Sequence, residues 1–249
     1  HYLKNNKIEK ICIHFLSPEM IKGIQESNQN YELFIFIHGN EALFWYERLF
    51  KSTTSFIHNF LVICHNSIFN TYSIINIRNF LKKSKHNFHF IAVSEWMMNK
   101  ACKNWKINEN QFTIIPNYIN ENLFFRKEKD ESDRLKVLSI RPFSSSKYAN
   151  DLSVEFILKL SKYDFFNELE FKIIGQGNMF HDLTSKIKNF KNVSLENRFL
   201  NQHEIKEYHD KYGIFLCPTR QDAQGVSMCE AISNGLVPIT LYNTAIPEF

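Results

Sequence analysis

No stretch of the 249-residue sequence approaches the roughly 18 consecutive apolar residues of a membrane span, and no charged-then-apolar leader opens it. A role at a lipid surface is therefore expected only as peripheral contact. An excess of one charge is also missing: 30 Lys and Arg stand against 26 Asp and Glu, a net +4. That balance argues against a dedicated nucleic-acid binder, and the mild basic bias suits an anionic ligand or an anionic surface. Cysteines are few, odd in number and scattered (Cys12, Cys64, Cys102, Cys217 and Cys229), mostly inside apolar runs. They read as buried thiols of a reducing compartment, the cytoplasm, rather than as disulfides. No His/Cys spacing of a metal site is present. What is present is a globular balance, 44% hydrophobic and 22% charged, on a chain long enough for one large or two ordinary domains.

Strand-like and helix-like runs alternate through the first half. They are Ile11 to Phe15 then a helix from Pro18, Leu33 to Ile37 then Glu41 to Phe50, and Phe60 to Cys64 then Thr71 to Lys83. Phe88 to Val93 follows, with a helix opened by Ser94-Glu95, and Phe112 to Pro116 gives one more strand. Such alternation implies βαβ units on a parallel sheet, and all-apolar strands such as Leu33 to Ile37 fit burial on both faces. The polar stretch from Asn117 to Arg134 is the linker candidate. The rhythm then restarts with Leu135 to Ile140 and continues through strands at Leu169 to Ile174, Val193 to Leu195, Gly213 to Cys217 and Leu236 to Thr240. Helices are expected from Ala149 to Ser161, Asn178 to Asn189, Gln202 to Tyr212 and Gly225 to Ser233. The expected fold class is α/β, with two doubly wound, Rossmann-like parallel-sheet domains, residues 1–129 with the linker and residues 130–249.

The most informative stretch runs Pro218-Thr-Arg220-Gln-Asp222-Ala-Gln224-Gly225-Val226-Ser-Met-Cys-Glu230-Ala, followed by Asn234-Gly235-Leu-Val-Pro. Two acids with seven residues between them usually mean no more than a solvated helix face. Here Pro218 stops a buried strand and Gly225 marks a turn into a helix, so both carboxylates sit at a strand-to-helix crossing, where parallel α/β sheets place ligands. Upstream, Arg141 and Lys147 lie six positions apart in another strand-to-helix loop. A planar fork and a compact point charge can together neutralise a diphosphate, although two such cations alone read as solvated. Gly175-Gln-Gly177 ends a further strand, weak on its own, since such glycines often serve tight turns.

Taken together these residues resemble the GT-B-fold retaining glycosyltransferases, in particular the group 1 (family 4) set. Its signature is an acid, seven residues and a Glu, then Ala, small residues, Gly and Pro. Asp222 stands where Glu is more usual, with the carboxylate retained. The resemblance runs from about His38 to Glu248 and is densest in the second half. It implies that Arg141 and Lys147 hold the donor's phosphates, that Gly175 and Gly177 approach the nucleotide, and that the backbone at Arg198 and Phe199 flanks the base. It makes Glu230 the acceptor of the ribose hydroxyls and Asp222 the residue facing the transferred sugar. The amides of Gln224, Gly225 and Val226 would meet phosphate or sugar oxygens at a helix start. Arg220 reads either as another phosphate contact or as a partner of Asp222. His38, ending a strand in Ile-Phe-Ile-His-Gly, matches a family histidine that reaches the donor sugar; His14 and His65 read as structural.

Ser94-Glu95 resembles the family's Val-Ser-Glu turn, a helix cap, and Ile115-Pro-Asn117 its hinge-proximal motif. Trp45, Trp96 and Trp105 read as core, and Arg78, Lys82, Lys83 and Lys85 as a basic helix end that could meet anionic lipid but reads first as a solvated face. The sequence has no Asp-x-Asp element of the kind metal-dependent sugar transferases of the other major fold use, so a metal-independent site without cofactor is expected. Because the sequence opens at His1 and ends at Ile-Pro-Glu-Phe249 inside a continuing pattern, it reads as a fragment. By the resemblance, the first domain would then lack its opening strand and Gly-rich loop, and the second its closing helix.

The implied activity is transfer of a sugar from a nucleotide diphosphate sugar to a carbohydrate or lipid-linked acceptor hydroxyl with retention, in polysaccharide or glycolipid assembly at the inner membrane face or in the cytoplasm. Alternatives on the same fold are a nucleotide-sugar epimerase or phosphorylase, and a non-catalytic nucleotide-sugar-binding partner.

Overall fold

A computed structural model describes Leu3, residues 8–53 and residues 55–249; the expected first domain thus begins on positions, 1, 2 and 4–7, that lie outside the described residues. The chain divides into two compact units. One comprises His1–Leu49, Phe60–Asn117 and Glu248, the other Phe50–Asn59, Tyr118–Pro247 and Phe249.

In the first unit four parallel strands follow in sheet order β1 (Lys10–His14), β2 (Glu32–Ile37), β3 (Asn87–Ala92) and β4 (Phe112–Ile114). Helix α1 (Pro18–Glu26) starts where Pro can sit without losing a bond, with the Ser17 hydroxyl accepting from the Met20 amide at 3.4 Å. Leu33, Ile35 and Ile37 of β2 are fully buried while Phe34 and Phe36 on the opposite face are half-buried, so the sheet is wrapped more closely on one face than the apolar run suggests. Helix α3 (Glu95–Trp105) is capped by Ser94, whose hydroxyl accepts from the Met97 amide, and it buries Met97, Ala101 and Trp105.

Two expectations for this unit are corrected. Phe60 to Cys64 is no strand but a turn of one helix, α2 (Phe56–Lys83), whose second half is the helix expected from Thr71. Five apolar residues in a row satisfy either form; no Gly or Pro interrupts residues 55–83, so the helix runs on, and Phe60 and Leu61 are more than half exposed on it. Glu41 to Phe50 holds only a 3₁₀ turn, Trp45–Arg48. Its acids bind backbone outside a helix: the Glu41 carboxylate accepts from the His38 and Gly39 amides at 2.5 and 3.1 Å, and Glu47 accepts from the Phe44 amide at 2.9 Å. Of the three tryptophans, only Trp105 is fully buried.

The second unit carries β5 (Lys136–Ile140), α4 (Asn150–Leu160), β6 (Glu170–Ile174), α5 (Phe180–Thr184), β7 (Val193–Glu196) and α6 (Gln202–Lys211). It continues with β8 (Ile214–Leu216), α7 (Val226–Ser233) and β9 (Val237–Ile239). The helix expected to reach Asn189 is confined to the short α5. Sheet order is β7-β6-β5-β8-β9, all parallel, with Ile140 opposite Ile174 and Val137 opposite Ile214. Both faces are covered, as a doubly wound sheet requires. Val137, Phe171 and Ile173 pack with Val154 and Ile157 of α4, whereas Leu138, Ile174 and Phe215 pack with Met228 and Ala231 of α7. The chain winds outward from β5 to β7 and then returns to place β8 on the other side of β5. Between β5 and β8 the strand order reverses, so the loops leaving their carboxyl ends diverge and leave a crevice.

Candidate functional site

A crevice of about 560 Å³ opens in the second unit, along the loops that leave β5, β6 and β7 and beside α7. Arg141 leaves β5 directly, and its amide donates to the Ile174 carbonyl at 3.0 Å, so the side chain starts from a fixed point. The residue is only 6% exposed, yet among the described residues its guanidinium makes a single hydrogen bond, from Nη1 to the Ser227 hydroxyl at 2.8 Å. Nε and Nη2 are buried with no hydrogen-bond partner among the described residues, and Nη2 stops 3.9 Å from Asp222 Oδ2. A desolvated cation with unmet donors is costly unless an anion completes it. Tyr148 supports both loop cations, its ring centroid 5.1 Å from the Arg141 guanidinium carbon and 5.7 Å from Lys147 Nζ.

Gly175 and Gly177 let the β5 and β6 loops meet. A Cβ on Gly175 would fall 1.8 Å from the Arg141 carbonyl oxygen, and one on Gly177, at φ +151°, would fall 2.2 Å from the Phe143 carbonyl carbon. The backbone also bonds across this approach, the Phe143 amide donating to Gln176 and the Met179 amide to Phe143. The glycines therefore fix the position of Arg141, and Gly175 lines the crevice as well.

Glu230, on α7, lines the crevice, and burial pushes its carboxyl up to about 7. At the other end lie Arg198 and Phe199. The Arg198 side chain is taken by Glu196 at 2.7 Å and Glu204 at 2.5 Å, while Phe199 is 80% exposed. The inner wall is apolar, with Leu200, Ile205, Phe215 and the buried His209; burial, reinforced by Lys129, holds that imidazole down at about 4, so it is neutral.

Of the expected residues, the crevice therefore joins Arg141, Gly175, Arg198, Phe199 and Glu230. Asp222, Gln224, Gly225, Val226, Lys147 and Gly177 stand off its lining. Asp222 reaches the site through Arg141, but its Oδ1 accepts from the Gln224 and Gly225 amides at 3.3 and 2.9 Å. Two of the amides expected to meet ligand oxygens are thus donating to Asp222, which closes an Asx-type turn into α7. Arg220 is not the partner of Asp222: it pairs with Asp151 at 2.8 and 2.7 Å. Ser227, Tyr148 and Asp151 were not picked out by the sequence, since hydroxyl, ring and acid carry no marking at these spacings.

His38 lies in the first unit, where its Nε2 is 2.9 Å from His14 Nδ1 and its ring stacks on Phe15 with centroids 4.4 Å apart. His14, read as structural, is thus its direct neighbour. Arg78, read as solvated, donates to the Asn104 carbonyl at 2.6 Å. Among the described residues no group of three His, Cys, Asp or Glu side chains could hold a metal, and no helix is long and apolar enough to cross a membrane.

The two parallel α/β sheets, the second with a switch-point crevice, form the GT-B fold of the solved structures to which this chain is similar. TarM is similar to this chain at 16% identity with a TM-score of 0.62, over 96% of this chain and 42% of its own. WaaG, a glycosyltransferase involved in lipopolysaccharide biosynthesis, is similar at 14% identity and 0.59, over 92% of this chain and 64% of its own. Anabaena Alr3699/HepE, solved in complex with UDP-glucose, is similar at 12% identity and 0.59, over 92% and 58%. The chain thus spans less than two thirds of each of these structures. No family model and no curated protein sequence matches it.

Proposed function

We propose that the protein is a retaining glycosyltransferase of the group 1 (family 4) type, which moves a sugar from a nucleotide diphosphate sugar to a carbohydrate or lipid-linked acceptor in polysaccharide or glycolipid assembly. The observation that carries this reading is Arg141: a guanidinium 6% exposed, with two nitrogens lacking hydrogen-bond partners among the described residues, beside a crevice at a topological switch point. The donor-bound structure of Alr3699/HepE supports a UDP-sugar as the first donor to try. In this reading the second unit binds the donor and the first serves the acceptor, with His38 as its sugar-facing residue.

The diphosphate gains charge as the glycosidic bond loosens toward an oxocarbenium-like state, and Arg141 with Lys147 stabilises that charge in a site shielded from water. The two cations supply what a divalent ion would, so the reaction runs without metal or cofactor. Glu230 accepts the ribose hydroxyls; an ionised carboxylate is acceptor-only and can take both. The departing phosphate oxygen takes the acceptor's proton as the new bond forms on the same face of the sugar, giving retention. Catalysis takes place in the cytoplasm, with peripheral contact at the membrane where the acceptor is lipid-linked.

The test incubates full-length protein with nucleotide sugars and a panel of glycan and lipid-linked acceptors, following nucleoside diphosphate release and product configuration by NMR. Acceptor-dependent release with a retained anomeric centre is expected. Epimerised nucleotide sugar formed without acceptor would overturn the transferase reading.

A further inference from the structure

We propose that Arg220 and Asp151 form a positioning clip that sets Lys147 for the diphosphate, a role that rests on the donor-binding reading of the same site. Arg220 leaves the β8 loop and Lys147 the β5 loop, on the two sides of the switch point. The Arg220 fork donates to Asp151 Oδ1 and Oδ2 at 2.8 and 2.7 Å, and Nη1 also donates to the Ser146 carbonyl at 2.7 Å. The backbone completes the join, since the Arg220 amide donates to the Lys147 carbonyl at 2.9 Å. The peptide units on either side of the Lys147 Cα are therefore held from one residue across the crevice's floor strands.

Three further features fit a purpose beyond surface pairing. Parallel two-bond pairing fixes orientation as well as distance, which a lysine could not reproduce. Asp151 lies in the first turn of α4, where a carboxylate is favoured by the helix dipole, and its hydrogen bonds from Arg220 hold it below the usual carboxylate range. Between Lys147 and Asp151, Ala149 sits at φ 52°, a left-handed conformation that is strained for a non-glycine residue and persists only where its surroundings impose it. The clip supplies that constraint and keeps Lys147 in a single loop conformation beside Arg141. Both terminal nitrogens of Arg220 are committed to Asp151 and the Ser146 carbonyl, so it acts on the loop that carries Lys147 and not on the ligand.

The test measures affinity for UDP and for uridine by calorimetry on the full-length protein, with melting temperature alongside, substituting GDP and guanosine if guanine is the base bound. Arg220→Ala and Asp151→Ala are each expected to weaken the diphosphate about tenfold while leaving the nucleoside within twofold, and the double variant should be no worse than either single one. Arg220→Lys should stay folded yet show most of the same loss. The exchange Arg220→Asp with Asp151→Arg should restore part of it. Equal losses for both ligands, or a lowered melting temperature with unchanged affinities, would overturn the clip as a positioning device. Wild-type protein that binds neither diphosphate would instead remove the donor reading beneath it.

Discussion

Arg141 Nη2 and Asp222 Oδ2 face each other at 3.9 Å, too far for a hydrogen bond, while the other Asp222 oxygen accepts the Gly225 amide at 2.9 Å. The acid is anchored to its own loop and leaves the arginine under-satisfied. A guanidinium in that position has donors left for a second anion.

The first prediction follows from that imbalance. Arg141→Met, which fills similar volume without charge, should leave the melting temperature of the ligand-free protein unchanged or raised, because a buried cation with unmet donors is removed. The same change should weaken nucleoside diphosphate binding about 100-fold, as loss of two charge-assisted hydrogen bonds at roughly 1.5 kcal/mol each implies. Calorimetry and a thermal melt check the two halves separately.

Asp222 separates structure from chemistry. Asp222→Asn keeps an oxygen for the Gly225 amide and should melt as wild type does, whereas Asp222→Ala should cost about 1 kcal/mol. If the acid faces the transferred sugar, both variants lose most transfer activity. Full activity in Asp222→Asn would reduce Asp222 to a turn residue.

Glu230 predicts a pH dependence of defined sign. Its carboxyl is raised by burial from 4.5 to about 7, so between these values the folded state holds a proton that the unfolded chain has lost. Stability from this group is therefore present below about pH 4.5 and declines as pH rises to about 7. Glu230→Gln should flatten that decline in a melting series from pH 4.5 to pH 8. If the carboxylate takes the ribose hydroxyls as an ion, wild-type affinity for a nucleotide sugar should also rise through pH 7, and the Gln variant should show no such rise.

Two glycines should respond oppositely to alanine. Gly175→Ala places a Cβ 1.8 Å from the Arg141 carbonyl and should destabilise the protein by about 3 kcal/mol or more, with loss of ligand binding. Gly23, exposed on α1 with nothing within 4 Å of the added carbon, should gain about 0.5–1 kcal/mol on the same change.

Much of this architecture is legible in the residues because short apolar strands bounded by Pro, Gly and caps leave little choice. Pro218 and Gly225 bracket the β8-to-α7 crossing, and Ser94 and Ser17 mark helix starts. The Phe60 to Cys64 run misleads because a short apolar segment carries no period of its own, and only the uninterrupted chain around it decides for α2. Glu41 and Glu47 mislead in the other direction, as helix-forming residues diverted to cap backbone in a turn. Arg141 and Glu230 were singled out by the family resemblance, since spacing alone left a solvated loop cation and a helix-face acid; the structure brings both to one crevice. Arg220's bond to Asp151 was not legible, since a partner 69 positions away is set by which strands become neighbours, and sheet order is not written in any local pattern.

A thermal-shift panel of UDP-, GDP-, ADP- and CMP-sugars on the full-length protein tests the central claim most directly, because only a ligand bound by the native state raises the midpoint. One donor at about 100 times its dissociation constant should add roughly 2.7 kcal/mol and lift the midpoint by about 5–10 °C, with a rise of only about 1 °C in Arg141→Met. No shift with any of the four, or an equal shift in Arg141→Met, would contradict a diphosphate site at the switch point.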